Sequence, residues 1–326
     1  MIAPMGNFAL QALMREAAVT LDRSRCVRHR CTANACTRCI DVCPTDSFTW
    51  TKGGLQINPD TCTQCLSCLS VCPTAALASP GLSLPQVLAD LAQHRLPVLG
   101  CKGQPGSDAH VRISCLGYLA HPELMTILAL VFPEGLQLNL TACDECPNGH
   151  ILDGIVTAHG RLHGSVSNHA VKLIRDKKDL EYAAATLSRR QFFLLFQERT
   201  NRAAVTMVKR LQDNIEQKTY GKKQIPEIRA LLLKAMSAST AARKESIKEQ
   251  QFGKITFTSD CCHSERCVGV CPTGAIRSSR MSNSPPVFDQ TLCTSCFSCQ
   301  AFCRNRGVVL SDNSQIPLVT KREQGL

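Results

Sequence analysis

The sequence predicts an α+β chain in four parts: a cysteine-rich module at residues 20–80, a small parallel α/β domain at 81–170, a helical spacer at 171–252, and a second cysteine-rich module at 253–326. Three observations predict it. Cysteines recur at short fixed spacings near both ends. Between them helix and strand patterns alternate, which argues for a parallel sheet. A cysteine-free stretch rich in Lys, Arg, Ala and Leu then reads as long helices.

With 326 residues there is room for two or three compact domains. The 21 cysteines far exceed the usual share. In a small secreted chain they would suggest disulfides. Here they come in tight runs three residues apart, a spacing better suited to sharing a metal than to bridging distant segments. The first twenty residues show no secretory pattern, and no stretch approaches the roughly 20 apolar residues needed to cross a bilayer. Arg189–Arg190 before Phe192 and Phe193 resemble a twin-arginine export signal but sit mid-chain, where Ser188 and Gln191 read as a capping box. A reducing, cytoplasmic location is the expectation.

In the first module one motif is Cys62, Cys65, Cys68, Cys72 and Pro73. The other is Cys31, Cys36, Cys39, Cys43 and Pro44, with a longer opening gap. Three thiolates on one loop can wrap three irons of a cubane, while the fourth, a helical turn away, faces the other cluster. This assigns cluster 1 to Cys31, Cys36, Cys39 and Cys72, and cluster 2 to Cys62, Cys65, Cys68 and Cys43. Cys26 is left over as a spare thiol. Ser47 to Thr51 and Leu55 to Asn58, around Lys52-Gly53-Gly54, read as a hairpin.

The pattern returns at the other end. Cys293, Cys296, Cys299 and Cys303 keep the spacing, although Arg304 replaces the following proline. The partner motif ends at Cys267 and Cys271-Pro272 but begins irregularly as Cys261-Cys262-His263-Ser264. Cluster 4 is assigned to Cys293, Cys296, Cys299 and Cys271, and cluster 3 to Cys261, Cys262, Cys267 and Cys303. The alternative for cluster 3 is one iron without a cysteine, giving a 3Fe–4S site or coordination by His263, Ser264 or water.

These motifs resemble the bacterial dicluster ferredoxin family over both end blocks. The resemblance implies two ferredoxin-like modules, four [4Fe–4S] clusters and an electron-transfer role, as in a polyferredoxin. Structural zinc is the competing reading, but zinc modules generally carry two separated C-x2-C pairs rather than a triple followed by x3-C-P.

The middle reads as a helix from Ser83 to Leu96, capped by Ser83 and Gln86, then a strand from Val98 ending at Cys101 and a second from Val111 ending at Cys115. Pro122 opens a further helix, and a strand from Leu136 to Leu140 runs into Cys143 and Cys146. Ligands bind at the carboxyl edge of open parallel sheets. Cys101, Cys115, Cys143 and Cys146 thus form a possible fifth site. With Cys115-Leu-Gly, this arrangement loosely resembles the iron–sulfur delta subunit of methyl-viologen-reducing hydrogenases. That likeness favours a [2Fe–2S] cluster, with zinc or unligated thiols as alternatives.

Of the four histidines that follow the middle cysteines, His150, His159, His163 and His169, the pair His159 and His163 would share a face on a helix and could bind metal, although surface histidines are commoner than ligands. Helices are expected over Ser188 to Gln217 and Pro226 to Gln250, with Phe192, Phe193, Leu195 and Phe196 packing inward or docking a partner. The formal charge of +11 counts every cysteine as neutral. Five clusters of net charge 2− would bring it to roughly +1, so nucleic-acid binding is not expected. No nucleophile–base pair or phosphate loop is visible. The reading is a multi-cluster electron carrier working with a partner oxidoreductase of anaerobic metabolism: a hydrogenase, formate dehydrogenase, other molybdoenzyme or flavin-based reductase. The alternative is an iron–sulfur enzyme or sensor with an open iron at the irregular motif.

Overall fold

A computed structural model describes residues 19–103, 108–162, 166, 170–182, 223–263, 265–281 and 284–311. The N-terminal module opens with β1 (Thr20–Leu21), followed by the short helices α1 (Val27–Arg30) and α2 (Arg38–Asp41). The expected hairpin forms from β2 (Phe48–Thr51) and β3 (Gly54–Ile57), paired from Phe48↔Ile57 to Thr51↔Gly54. Gly54, at φ 97°, supplies the left-handed turn. After α3 (Ser67–Val71), β4 (Leu77–Ala78) returns to pair antiparallel with β1.

The expected parallel sheet is present, from β5 (Val98–Cys101), β6 (Val111–Ile113), β7 (Leu136–Asn139) and β8 (Val171–Ile174), in the order β6-β5-β7-β8. Strands β5 and β7 are largely buried: β5 reads as an apolar run, whereas β7, Leu136-Gln137-Leu138-Asn139, alternates, and its buried amides are satisfied by the carbonyls of Glu181 and Asp108. The fourth strand, β8, lies beyond the expected end of this domain at residue 170. The chain reaches its four residues, Val171-Lys172-Leu173-Ile174, from β7 through the helix at Ile151–Gly160, the crossover that a parallel pairing needs.

Helix α4 (Leu84–Leu91) is shorter than expected. Ser83 caps it by accepting from the Gln86 N–H, but the Gln86 side chain turns forward to Asp90 rather than back to Ser83, so the capping box is half made. Pro122 opens α5 (Pro122–Val131), buried along nearly its whole length, and α6 (Ile151–Gly160) follows the last two cysteines of the middle part.

The long helix expected from Pro226 to Gln250 is instead two, α7 (Glu227–Ser237) and α8 (Ala241–Gln251). The break falls where Thr240 accepts from the Arg243 N–H and Ser237 bonds the Lys234 carbonyl, local bonds that compete with a continuous helix. The helix expected over 188–217, its four apolar residues, and Arg189–Arg190 lie outside the described residues. Helix α7 packs on α5, and one hydrophobic core runs from Val19 through the sheet to Phe252.

The C-terminal part repeats the first module's order. Strand β9 (Lys254–Phe257) pairs with the last strand, β12 (Val308–Ser311), and β10 (Ile276–Arg277) pairs with β11 (Val287–Phe288). Between them lie α9 (Arg266–Val270) and α10 (Ser298–Phe302), around a separate small core. Among the described residues no helix is long and apolar enough to cross a membrane.

Candidate metal centres

Backbone conformation builds the thiol loops. In Cys62–Cys68 the residues Gln64 and Leu66 adopt left-handed φ of 57° and 62°. In Cys293–Cys299 the residues Ser295 and Phe297 do the same, at 50° and 60°. For non-glycine residues this is uncommon and calls for a compensating interaction. Alternating left- and right-handed residues curl successive N–H groups toward one centre, a concavity that suits anionic sulfur. At the irregular motif His263 and Glu265 are left-handed, at 51° and 53°. This register aligns Cys261 with Cys62 and Cys293 as the first thiol of its loop.

The last cysteine of each motif is handled alike. Three residues beyond Cys43, Cys72, Cys271 and Cys303 stand Asp46, Ala75, Gly274 and Arg306, all with positive φ. The Ser47 N–H donates to Cys43 Sγ at 3.4 Å, and the Ala76 N–H to Cys72 Sγ at 3.2 Å. Such donors favour a charged sulfur.

Cys271, Cys293, Cys296 and Cys299 line one small cavity, walled by Ile255, Ile276 and Leu310. Cys261, Cys262, Cys267 and Cys303 line another, with Cys262 exposed at its rim. Cys101, Cys115, Cys143 and Cys146 line a third at the carboxyl edge of the parallel sheet, beside Asn139 and Asn148. The four middle cysteines therefore meet although they are spread over 46 residues of sequence. There the Gly103 N–H donates to Cys101 Sγ and the Asn148 N–H to Cys146 Sγ, at 3.1 and 3.4 Å.

In the N-terminal module the grouping shows in the electrostatics. Burial, and then the adjacent Cys72 and Cys36, push the Cys39 thiol far up. Burial followed by Cys65, Cys39, Cys62 and Cys43 does the same to Cys68. Cys293 is pushed up to about 12 by burial, with Cys296 and Cys271 adding to it. Burial raises Cys143 to about 11, with Cys101 and Cys146 beside it. At Cys65 burial also raises the thiol, but His150 and Ser67 outweigh it and hold it at about 7. Closely packed buried thiols resist ionisation unless a cation shares their site, which is the condition a metal cluster meets.

Among the described residues no three His, Cys, Asp or Glu side chains converge on a single ion position. A tetrahedral zinc needs four donors within about 2.3 Å of one point. A cubane bonds each thiolate to a different iron, so its sulfurs stand further apart. Four thiols line each of the three cavities, the number of donors that a cubane takes.

One family comparison decides the N-terminal module. Residues 30–76 match the 4Fe-4S dicluster domain. That segment is therefore an iron–sulfur electron-transfer module of ferredoxin-like kind, and [4Fe–4S] clusters belong to it. No curated protein and no solved structure matches the chain.

The dicluster segment does not stand apart from the rest. Asn34, buried, donates through Nδ2 to the Cys296 carbonyl at 2.8 Å and to Ser298 Oγ at 3.0 Å. Arg38 reaches the Ser295 carbonyl at 3.2 Å and lies 5.8 Å from the Phe297 ring centre. Arg229, 1% exposed, forms two bonds to Glu123, of 2.7 and 3.0 Å, and donates to the carbonyls of Thr291 and Cys293 at 2.8 and 2.6 Å. Sequence reading missed Asn34, which lies between two cysteines of the first motif without being a ligand type, and Arg229, which sits in no motif. His159 is occupied by the Val171 carbonyl, 2.8 Å from Nε2, and so ties α6 to β8. His163, His169 and Ser264 lie outside the described residues.

Proposed function

We propose that the chain is a multi-cluster electron-transfer protein or subunit, polyferredoxin-like, serving a partner oxidoreductase of anaerobic metabolism in the cytoplasm. Four [4Fe–4S] clusters would use the cysteine sets given above, and the middle set would hold a fifth centre, a [2Fe–2S] cluster by preference. A cubane with all four irons on cysteine supplies one-electron transfer and has no open coordination site.

The observation that carries this reading is that the thiol sets are linked end to end. Cys115 of the middle set lies within electrostatic reach of Cys65. Cys68 feels Cys39 across the two N-terminal sets. The loop bearing Asn34 and Arg38 sits directly on the Cys293–Cys299 loop. Within the last module, Cys267 and Cys271 lie on and just after α9, one turn apart, and line different cavities. The order supported is middle set, cluster 2, cluster 1, cluster 4, cluster 3: one wire with an end at the sheet edge and an end at the irregular motif.

A second reading attaches to that last end. Cys262 is exposed, and the backbone register makes Cys261 the first thiol, which favours an iron there with a ligand other than cysteine. Anaerobic purification followed by iron and sulfide analysis tests both readings. The wire predicts about 18 irons per chain and interacting EPR signals on reduction. A colourless protein containing zinc would refute it. A 3Fe–4S signal that takes up a fourth iron and then binds small ligands would favour the second reading.

A further inference from the structure

The dicluster match begins at residue 30, so it takes in Cys31 and leaves Cys26 out. The backbone points the other way. Four stretches of the chain enter a thiol loop in the same manner. A strand ends, and the next residue's side chain accepts from the N–H two residues on. A cysteine then follows, three or four residues after that accepting residue.

After β3 the turn is Asn58, accepting from Asp60, and the cysteine is Cys62. After β11 it is Asp289, accepting from Thr291, and then Cys293. After β9 it is Thr258, accepting from Asp260, and then Cys261, whose N–H bonds the Thr258 carbonyl at 3.1 Å. After β1 the turn is Asp22, accepting from Ser24 at 2.9 Å, and the cysteine is Cys26, whose N–H bonds the Asp22 carbonyl at 3.3 Å. Strands β1 and β9 are also equivalent in topology, since each pairs with the last strand of its module. Cys26 therefore occupies the place that Cys261 occupies in the second module.

We propose that Cys26, and not Cys31, is the fourth thiolate of the first cluster, beside Cys36, Cys39 and Cys72. The proposal rests on the iron–sulfur reading above and changes one of its ligands. Two residues separate Cys62 from Cys65 and Cys293 from Cys296, whereas nine separate Cys26 from Cys36. The extra residues form a folded insert with work of its own. Its helix α1 lays Arg28 on the Trp50 ring, 4.1 Å from the centre, with His29 beside that ring. Its far end carries Asn34 onto the Cys296 loop. Cys31 closes α1 through its N–H to the Val27 carbonyl and is 3% exposed within the insert. Cys26 is only partly buried, at the mouth of the loop that its entry turn opens.

The test uses the full-length chain, reconstituted anaerobically, as parent, Cys26→Ser, Cys31→Ser and Cys36→Ser. Iron and sulfide per chain and EPR of the reduced proteins are measured, with circular dichroism as the check on folding. Cys26→Ser should lose as much as Cys36→Ser, between about one and four irons per chain, and Cys31→Ser should match the parent. A folded Cys31→Ser protein that loses iron overturns the proposal, as does a Cys26→Ser protein with the parent's iron content. Should Cys26→Ser fail to fold, the Cys31→Ser result alone decides. A parent chain that takes up no iron or sulfide would instead refute the iron–sulfur reading itself, so the two failures are distinct.

Discussion

Arg229→Met tests how the last module is held. Arg229 and Glu123 are 2% and 9% exposed as side chains, and their bonds of 2.7 and 3.0 Å form a fork between α7 and α5. Removing one partner of such a pair leaves a buried charge uncompensated, at a cost of about 3–5 kcal/mol. At about 2–4 °C per kcal/mol for a chain region of this size, Tm should fall by about 6–20 °C. Differential scanning fluorimetry of the anaerobic holo-protein measures it. The pH dependence supplies a second signature. Burial alone would raise the Glu123 carboxyl, but the adjoining Arg229 guanidinium overrides it and holds the group below its ordinary value.

In the parent this contribution is therefore present above the usual carboxylate range and lost as pH falls through the lowered value. Without Arg229 the sign reverses. Burial raises the carboxyl, so the penalty is full near neutrality and shrinks as pH falls toward the ordinary value. Glu123→Met added to Arg229→Met should recover much of the loss, because a buried pair is readily replaced by apolar groups. A single variant within about 1 kcal/mol of the parent would refute the reasoning, because measured buried pairs fall well above that. A deficit that does not change with pH would refute it as well.

Asn34→Ala removes both donors that seat the insert on the Cys293–Cys299 loop, leaving the Cys296 carbonyl without this partner. It should cost about 1–3 kcal/mol and speed hydrogen exchange at residues 293–299, and unchanged exchange there would refute the docking role. Gly117→Ala should be destabilising and should disturb the middle set and cluster 2 together. A Cβ at this position overlaps the Cys65 carbonyl and crowds Ile151 and Ser67 at 3.0 and 3.1 Å. Iron analysis matching the parent would show that the backbone yields without consequence.

Much of this was legible from spacing alone. The hairpin, the three strands ending at cysteines and the Pro122 helix were all visible, because each depends on local pattern and on punctuation by Gly or Pro. The convergence of Cys101, Cys115, Cys143 and Cys146 was legible for a topological reason: strand ends of a parallel sheet share one edge. What escaped was set by long-range contact. Strand β8 is four residues that become a strand only because β7 offers an edge. Arg229 looks like one more helix cation until Glu123, 106 residues away, is placed against it. The proposal for Cys26 departs from the spacing rule because that rule reads distance along the chain. The insert at 27–35 stretches that distance without moving the loop's entry turn. The turn itself, Asp22 followed two residues on by Ser24, was the available signal.

The two hydrophobic cores are separate, yet the thiol sets run across both. An apolar interface would let the modules slide, since dispersion contacts are individually weak and lack direction. At the junction Asn34, Arg38 and Arg229 each donate to a backbone carbonyl of residues 291–296, within the Cys293 loop or just before it. Hydrogen bonds of this kind fix position as well as adding energy, and those from arginine are the stronger class. They grip the loop whose sulfurs line the nearest cavity of the other module. Sliding of one module on the other would therefore break the same bonds that shape that loop. The relative position of the two modules and the shape of the Cys293 loop are one constraint, and the distance between neighbouring thiol sets is fixed by the residues that form them.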